Sequence, residues 1–152
     1  MKIFLSVHEA RVDDKKRVSV PVQFREIIES KGEGIVYAYP SLMSDCIEVC
    51  TAERIKELHD HIENFELFSE ERDILSASIL GACEPLQIDA KGRVSITDRL
   101  ANFANIKKEA VFVGKGRIFE IWDQSKFKEY FAAARDSAKA NNLFSNRLKR
   151  EI

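Results

Sequence analysis

A short charged phrase occurs twice in this 152-residue chain, and any fold proposed for it must accommodate both copies. The first reads Val12-Asp13-Asp14-Lys15-Lys16-Arg17-Val18-Ser19-Val20-Pro21, the second Ile88-Asp89-Ala90-Lys91-Gly92-Arg93-Val94-Ser95-Ile96-Thr97. Both carry Asp-x-Lys-x-Arg-Val-Ser, and Asp13 and Asp89 stand 76 residues apart, half the chain. The echo extends further: Phe24 aligns with Leu100, Ile35-Val36-Tyr37 with Val111-Phe112-Val113, and, after a four-residue length change, Ile47-Glu48-Val49 with Phe119-Glu120-Ile121. A long period present twice indicates a duplicated supersecondary unit, because a solenoid needs three or more shorter repeats. The length suits one domain, 1–152, in which two half-units share a core.

Composition excludes several classes. With 45% hydrophobic and 32% charged residues the chain reads as an ordinary globular protein. Its net charge of −1 sets up no broad positive field, so any basic surface is local. No stretch is apolar for the ~18–20 residues a membrane span needs, and the first residues lack a signal-peptide pattern, so a cytoplasmic protein is expected. Three cysteines do not suit a disulfide framework. Cys46 and Cys50, on one face of a strand about 13 Å apart, are expected to be reduced packing residues.

Taken in order, residues 3–12 place Ile3, Leu5 and Val7 at period two, predicting a half-buried strand on that face. The phrase is a turn between two strands, followed by a helix that Pro21 opens and that carries Phe24, Ile27 and Ile28 at helical spacing. Two strands, Ile35 to Tyr39 and Cys46 to Cys50, close a ββαββ half. Helices capped by Thr51 and Ser69 follow, the second with Ile74, Leu75, Ile79 and Leu80 inward. The second half repeats the order and ends in a helix from Asp123 whose Phe127, Tyr130, Phe131 and Ala134 form a face expected to pack within the fold. The halves are assigned to 3–57 and 83–135, the helical linker to 58–82, and a frayed tail to 141–152.

The doubled phrase, the linking Ser-Ala-Ser-Ile-Leu-Gly-Ala at 76–82, and Val111-Phe112-Val113-Gly114 followed by Phe119-Glu120-Ile121-Trp122-Asp123 resemble the bacterial MraZ family over nearly the whole chain. The resemblance implies an α+β fold, a double swapped-hairpin barrel like that of the AbrB-like transcription factors. It also implies a homo-oligomeric ring, commonly of eight subunits, associated with the nucleoid. Such a ring would bind double-stranded DNA at short direct repeats in the promoter of the division and cell-wall operon that contains its own gene. The implied DNA-binding residues are Lys15, Arg17, Lys91 and Arg93, with Lys16 as an extra contact, while Asp13, Asp89 and Gly92 build the turns. Two positions depart from the family pattern. Lys16 replaces a glycine; if its backbone is left-handed, lysine costs roughly 1–2 kcal/mol there. Thr97 replaces the proline matching Pro21, so a threonine cap is expected.

An arginine grips a phosphate or guanine edge with a planar fork, and a lysine neutralises a phosphate as a point charge. A Lys-x-Arg fixed on a tight turn therefore offers both to one groove. No enzyme is expected, and no metal or cofactor: His59 and His61 do not face each other on a helix, the cysteines lack zinc-site spacing, and Gly114-Lys115-Gly116-Arg117 lacks the rest of a phosphate loop and reads as a hairpin turn. The alternative is a non-catalytic scaffold or protein-interaction ring, for which Phe119, Trp122, Phe127, Tyr130 and Phe131 would supply an interface.

Overall fold

The computed structural model describes residues 2–32 and 34–145. Each half follows the expected order: β1 (Val7–Arg11), β2 (Arg17–Ser19), α1 (Val22–Lys31), β3 (Ile35–Pro40) and β4 (Ile47–Cys50), then β5 (Glu84–Gln87), β6 (Arg93–Ser95), α4 (Asp98–Ala104), β7 (Glu109–Lys115) and β8 (Ile118–Asp123). Between them run α2 (Ala52–Glu63) and α3 (Glu70–Leu75), which continues as a π-helical turn at Ser76–Gly81. α5 (Gln124–Ala140) closes the described chain. Most of the expected frayed tail, 146–152, lies outside the described residues.

Helix starts follow local chemistry. Thr97 Oγ1 accepts from the Leu100 amide at 3.4 Å, Ser69 Oγ from Arg72 at 3.2 Å and Asp123 Oδ2 from Lys126 at 3.1 Å, each satisfying an amide with no partner inside its helix. Pro21 precedes α1 rather than opening it: its ψ of 141° is extended, and its carbonyl accepts the first helical bond, from Arg25. Thr51 precedes α2 without a side-chain cap.

The halves exchange strands. β1 pairs with β7 of the other half and β5 with β3, giving a six-stranded antiparallel sheet in the order β1-β7-β8-β4-β3-β5. β2 and β6 pair only with each other. The expected barrel is thus not closed by hydrogen bonds; it is a sheet and a separate ribbon. Phe24, Phe112 and Phe119 sit at the centre of a core that also takes Val18 and Val94 from beneath the ribbon. A second cluster, Cys46, Val111, Val113, Trp122 and Phe127, lies under α5. All three cysteines are free, Cys46 and Cys50 are buried, and burial pushes the Cys50 thiol up to about 12.

Three apolar faces differ from expectation. Ile3, Leu5 and Val7 point to solvent, and Phe4 is the buried residue. One parity alone can enter the core, and Phe4 enters because its backbone exchanges bonds with Gly116 while its ring meets Phe24 and Phe119 edge-on at 5.2 and 4.9 Å. Gly114 permits this approach, since a Cβ there would lie 2.4 Å from the Leu5 nitrogen. In the linker, Ile74 is exposed and no residue of α3 or of the π-helical turn is fully buried. On α5, Phe127 and Tyr130 pack on Trp122, while Phe131 and Ala134 stay exposed because the sheet face ends at Trp122 and Val113.

Candidate nucleic-acid interface

The two copies of the phrase fold into the same loop. Asp13 Oδ1 accepts from the amides of Lys15 at 2.9 Å and Arg17 at 2.8 Å, and Oδ2 accepts from Arg17 Nε at 2.8 Å. Asp89 repeats each bond with Lys91, Arg93 and Arg93 Nε, all at 2.9 Å. The Lys16 and Gly92 amides donate to the carbonyls of Asp13 and Asp89, both at 2.9 Å. An aspartate suits this position because its short side chain reaches its own downstream amides and its charge strengthens those bonds. Each arginine is thereby aimed by its own loop through Nε, and its terminal nitrogens make no hydrogen bond among the described residues.

The backbone amide of Arg17, aided by its guanidinium, holds the Asp13 carboxyl below its ordinary value of 3.8, and Arg93 does the same for Asp89. A carboxylate with a depressed folded value contributes stability above its unfolded value and loses it as pH falls through the folded one. Both loops should keep their shape from neutral pH down to about pH 4 and open below it. In an NMR titration, the Arg17 and Arg93 amide and Nε proton shifts should move together, with midpoints under 3.8.

Lys16 has φ 61° and Gly92 φ 80°. The loop needs a left-handed residue here, so the lysine carries strain that the glycine does not. Lys16 Nζ pairs with Asp98, but both side chains are well exposed, and such a pair is worth about 0–1 kcal/mol. Lys16→Gly is therefore expected to stabilise the protein by about 1 kcal/mol, a rise of about 2–4 °C in melting temperature, read by thermal denaturation.

The ribbon brings the two loops together. Arg17 lies opposite Ser95, Val18 opposite Val94 and Ser19 opposite Arg93. Val18 and Val94 are buried, so strand alternation turns Arg17, Ser19, Arg93 and Ser95 to the outer face. Arg17 and Arg93 are diagonal neighbours, about 7–8 Å apart at Cα. Each loop is also tied to the other copy's strand: the Val20 amide donates to Gly92 O at 2.9 Å and the Ile96 amide to Lys16 O at 2.8 Å. Lys15 and Lys91 are exposed at the loops and form no ion pair among the described residues.

Several residues of this surface were not singled out from sequence. Arg25 donates through Nε to Val20 O at 3.1 Å, and its guanidinium lies over Gly92, where a Cβ would come within 2.5 Å of Nη1. Ser19 and Ser95 complete the outer face; the shared Arg-Val-Ser was the available signal. Beside the first loop, Arg11 and Lys108 line a cleft with Asp13 and Asp14, and Lys107 stands next to them. In the first half Lys31, which aligns with Lys107, is instead paired with Glu53 at 2.8 Å, and Gly32 aligns with Lys108. The basic surface is therefore larger around the first loop.

Elsewhere, His59 lies 3.2 Å from Glu63, and His8 meets Phe24 edge-on at 5.2 Å between centroids. Among the described residues no group of three or more His, Cys, Asp or Glu is placed to hold a metal ion, and no helix is long and apolar enough to cross a membrane.

Known proteins share this arrangement of sequence. Residues 79–150 match the family model described as "MraZ protein, putative antitoxin-like". The chain is 41% identical over 143 residues to the "Transcriptional regulator MraZ" of Rickettsia felis, covering 94% of this chain and 96% of that protein. It is 39% identical over 139 residues to the protein of the same name from Pelagibacter ubique, covering 91% and 90%. At that identity over nearly the full length of both chains, the chain belongs to the MraZ family.

Proposed function

We propose that the chain is a transcriptional regulator whose outer ribbon face and paired loops read double-stranded DNA. One observation carries this: Arg17 and Arg93, each aimed by its own aspartate, occupy one face of one ribbon, so both copies of the phrase address a single duplex. A two-stranded ribbon is narrow enough for the major groove, which is about 12 Å wide. The arginines supply phosphate or guanine contacts, and Lys15, Lys91 and Lys16 neutralise flanking phosphates. The whole chain acts as one unit, its halves 3–57 and 83–135 locked as swapped hairpins. It works without catalysis in the cytoplasm, on the nucleoid.

One copy presents few cations, so useful affinity comes from several copies in a ring, commonly of eight, engaging successive direct repeats through effective concentration. The target is the promoter of the division and cell-wall operon containing the chain's own gene. Fluorescence anisotropy against that promoter and a scrambled duplex, across a salt series, tests the reading. Preference for the native sequence with a steep salt dependence is expected, as is tighter binding to three or four repeats than to one. Equal weak binding to both duplexes would replace the reading with the scaffold.

A further inference from the structure

Residues 65–74 carry four large apolar side chains into solvent: Phe65, Leu67, Phe68 and Ile74. Phe68 is 94% exposed and has φ 69°, a left-handed conformation that an aromatic residue adopts only at a cost. Scattered exposed apolar residues are ordinary, but four within ten, three in the connection between α2 and α3 and the fourth on α3, which has no fully buried residue, mark an interaction site. The same stretch holds Glu66, Glu70, Glu71 and Asp73, none of them in an ion pair among the described residues; its one cation, Arg72, is taken by Glu63. This is an apolar knob with an acidic surround.

The complementary feature lies on α5. A groove of 420 Å³ runs between α5 and β7, floored by Phe127, Phe131, Ala134 and Ala138 and rimmed by Arg135 and Lys139. Neither rim cation has an ion-pair partner among the described residues, and no acidic side chain lines the groove. Alanines at two successive helical turns leave the space that an inserted aromatic ring would fill. The groove is apolar where the knob is apolar and basic where the knob is acidic.

We propose that residues 65–74 of one copy dock in the α5–β7 groove of a second copy, with Phe68 as the inserted anchor and Arg135 and Lys139 facing the acidic residues. The proposal rests on the oligomeric reading above and names its interface. Knob and groove are different surfaces, so the contact is head-to-tail, and repetition of one such contact closes a ring when the rotation permits.

The test uses the full chain and measures mass in solution by light scattering coupled to gel filtration. Phe68→Ser, which removes the knob, and Ala134→Trp, which fills the groove, should each reduce the wild-type oligomer to single chains. Both sites are solvent-exposed, so far-ultraviolet circular dichroism spectra should match wild type, while melting temperature falls only as far as loss of the partner subunit requires. Mixing the two variants should yield a two-chain species and nothing longer, because one contributes an intact groove and the other an intact knob. Arg135→Glu with Lys139→Glu should likewise dissociate the oligomer, and adding Glu70→Lys with Glu71→Lys should restore it. A wild-type single chain, a Phe68→Ser variant of unchanged mass, or variants that dissociate but do not pair would overturn the interface. Binding of a one-repeat duplex by wild type and by Phe68→Ser, whatever their mass, with salt dependence retained, keeps the DNA reading standing in each of those cases; absence of DNA binding in both sinks that reading without touching the interface.

Discussion

Replacing Arg17 and Arg93 together with alanine should lower affinity for the promoter duplex by on the order of 10²- to 10⁴-fold, each arginine contributing about 1–3 kcal/mol. The two are diagonal neighbours on one ribbon face, so their losses should couple and not simply add. If both contact phosphates, the slope of log affinity against log salt should fall by about 2. Stability should barely change, because the Asp13 and Asp89 pairs that the arginines leave are partly exposed and such pairs contribute about 0–1 kcal/mol. Arg17→Lys with Arg93→Lys separates charge from geometry: the salt slope should persist, while preference for the native sequence drops with loss of the planar fork. Anisotropy titrations of both double variants at three salt concentrations provide the measurement. Wild-type affinity in the alanine pair would remove the ribbon face from the DNA-binding surface.

The largest effect on stability is expected at Phe24. Phe24→Ala should cost about 3–5 kcal/mol, combining lost burial with a cavity that the surroundings fill incompletely. The side chain is 0% exposed and touches four rings: Phe4 at 5.2 Å, Phe119 at 5.0 Å, Phe112 at 6.3 Å and His8 at 5.2 Å between centroids. These rings come from the N-terminal segment, β1, β7 and β8, so the cavity would loosen both halves at once. Truncation would also uncover His8 Nε2, which is buried with no hydrogen-bond partner among the described residues. A domain of this size is stable by about 5–15 kcal/mol, so the loss is a large fraction of the whole. Denaturant titration should show a midpoint shift with little change in slope, because the surface exposed on unfolding hardly alters. A loss below about 1 kcal/mol would mean that the ring cluster does not anchor the core.

What the sequence reveals about the site follows from repetition. A single Lys-Lys-Arg turn is unremarkable, but two Asp-x-Lys-x-Arg-Val-Ser copies at one offset imply two loops of one geometry, and the bonds of Asp13 and Asp89 agree to within 0.1 Å. Arg25 was invisible because its function depends on the distance between α1 and the other half's loop, which no local pattern records. Lys107 and Lys108 escaped for a related reason: Lys31, aligned with Lys107, is spent on Glu53 and Gly32 aligns with Lys108, so the halves differ in charge outside the shared phrase.

The chain alone determined the order of elements in each half, the capping at Ser69 and Thr97, and the start of the last helix at Asp123. These are local matters, decided by propensities, turn chemistry and backbone sterics within a few residues. Tertiary structure decided that β2 finds β6 instead of β1, that Phe4 rather than Ile3 and Leu5 enters the core, and that Phe68, Ile74 and Phe131 remain outside. Strand partners and buried faces are chosen by competition among distant apolar surfaces for one core, so periodicity announces that a face exists and leaves open whether this chain or a second copy will cover it.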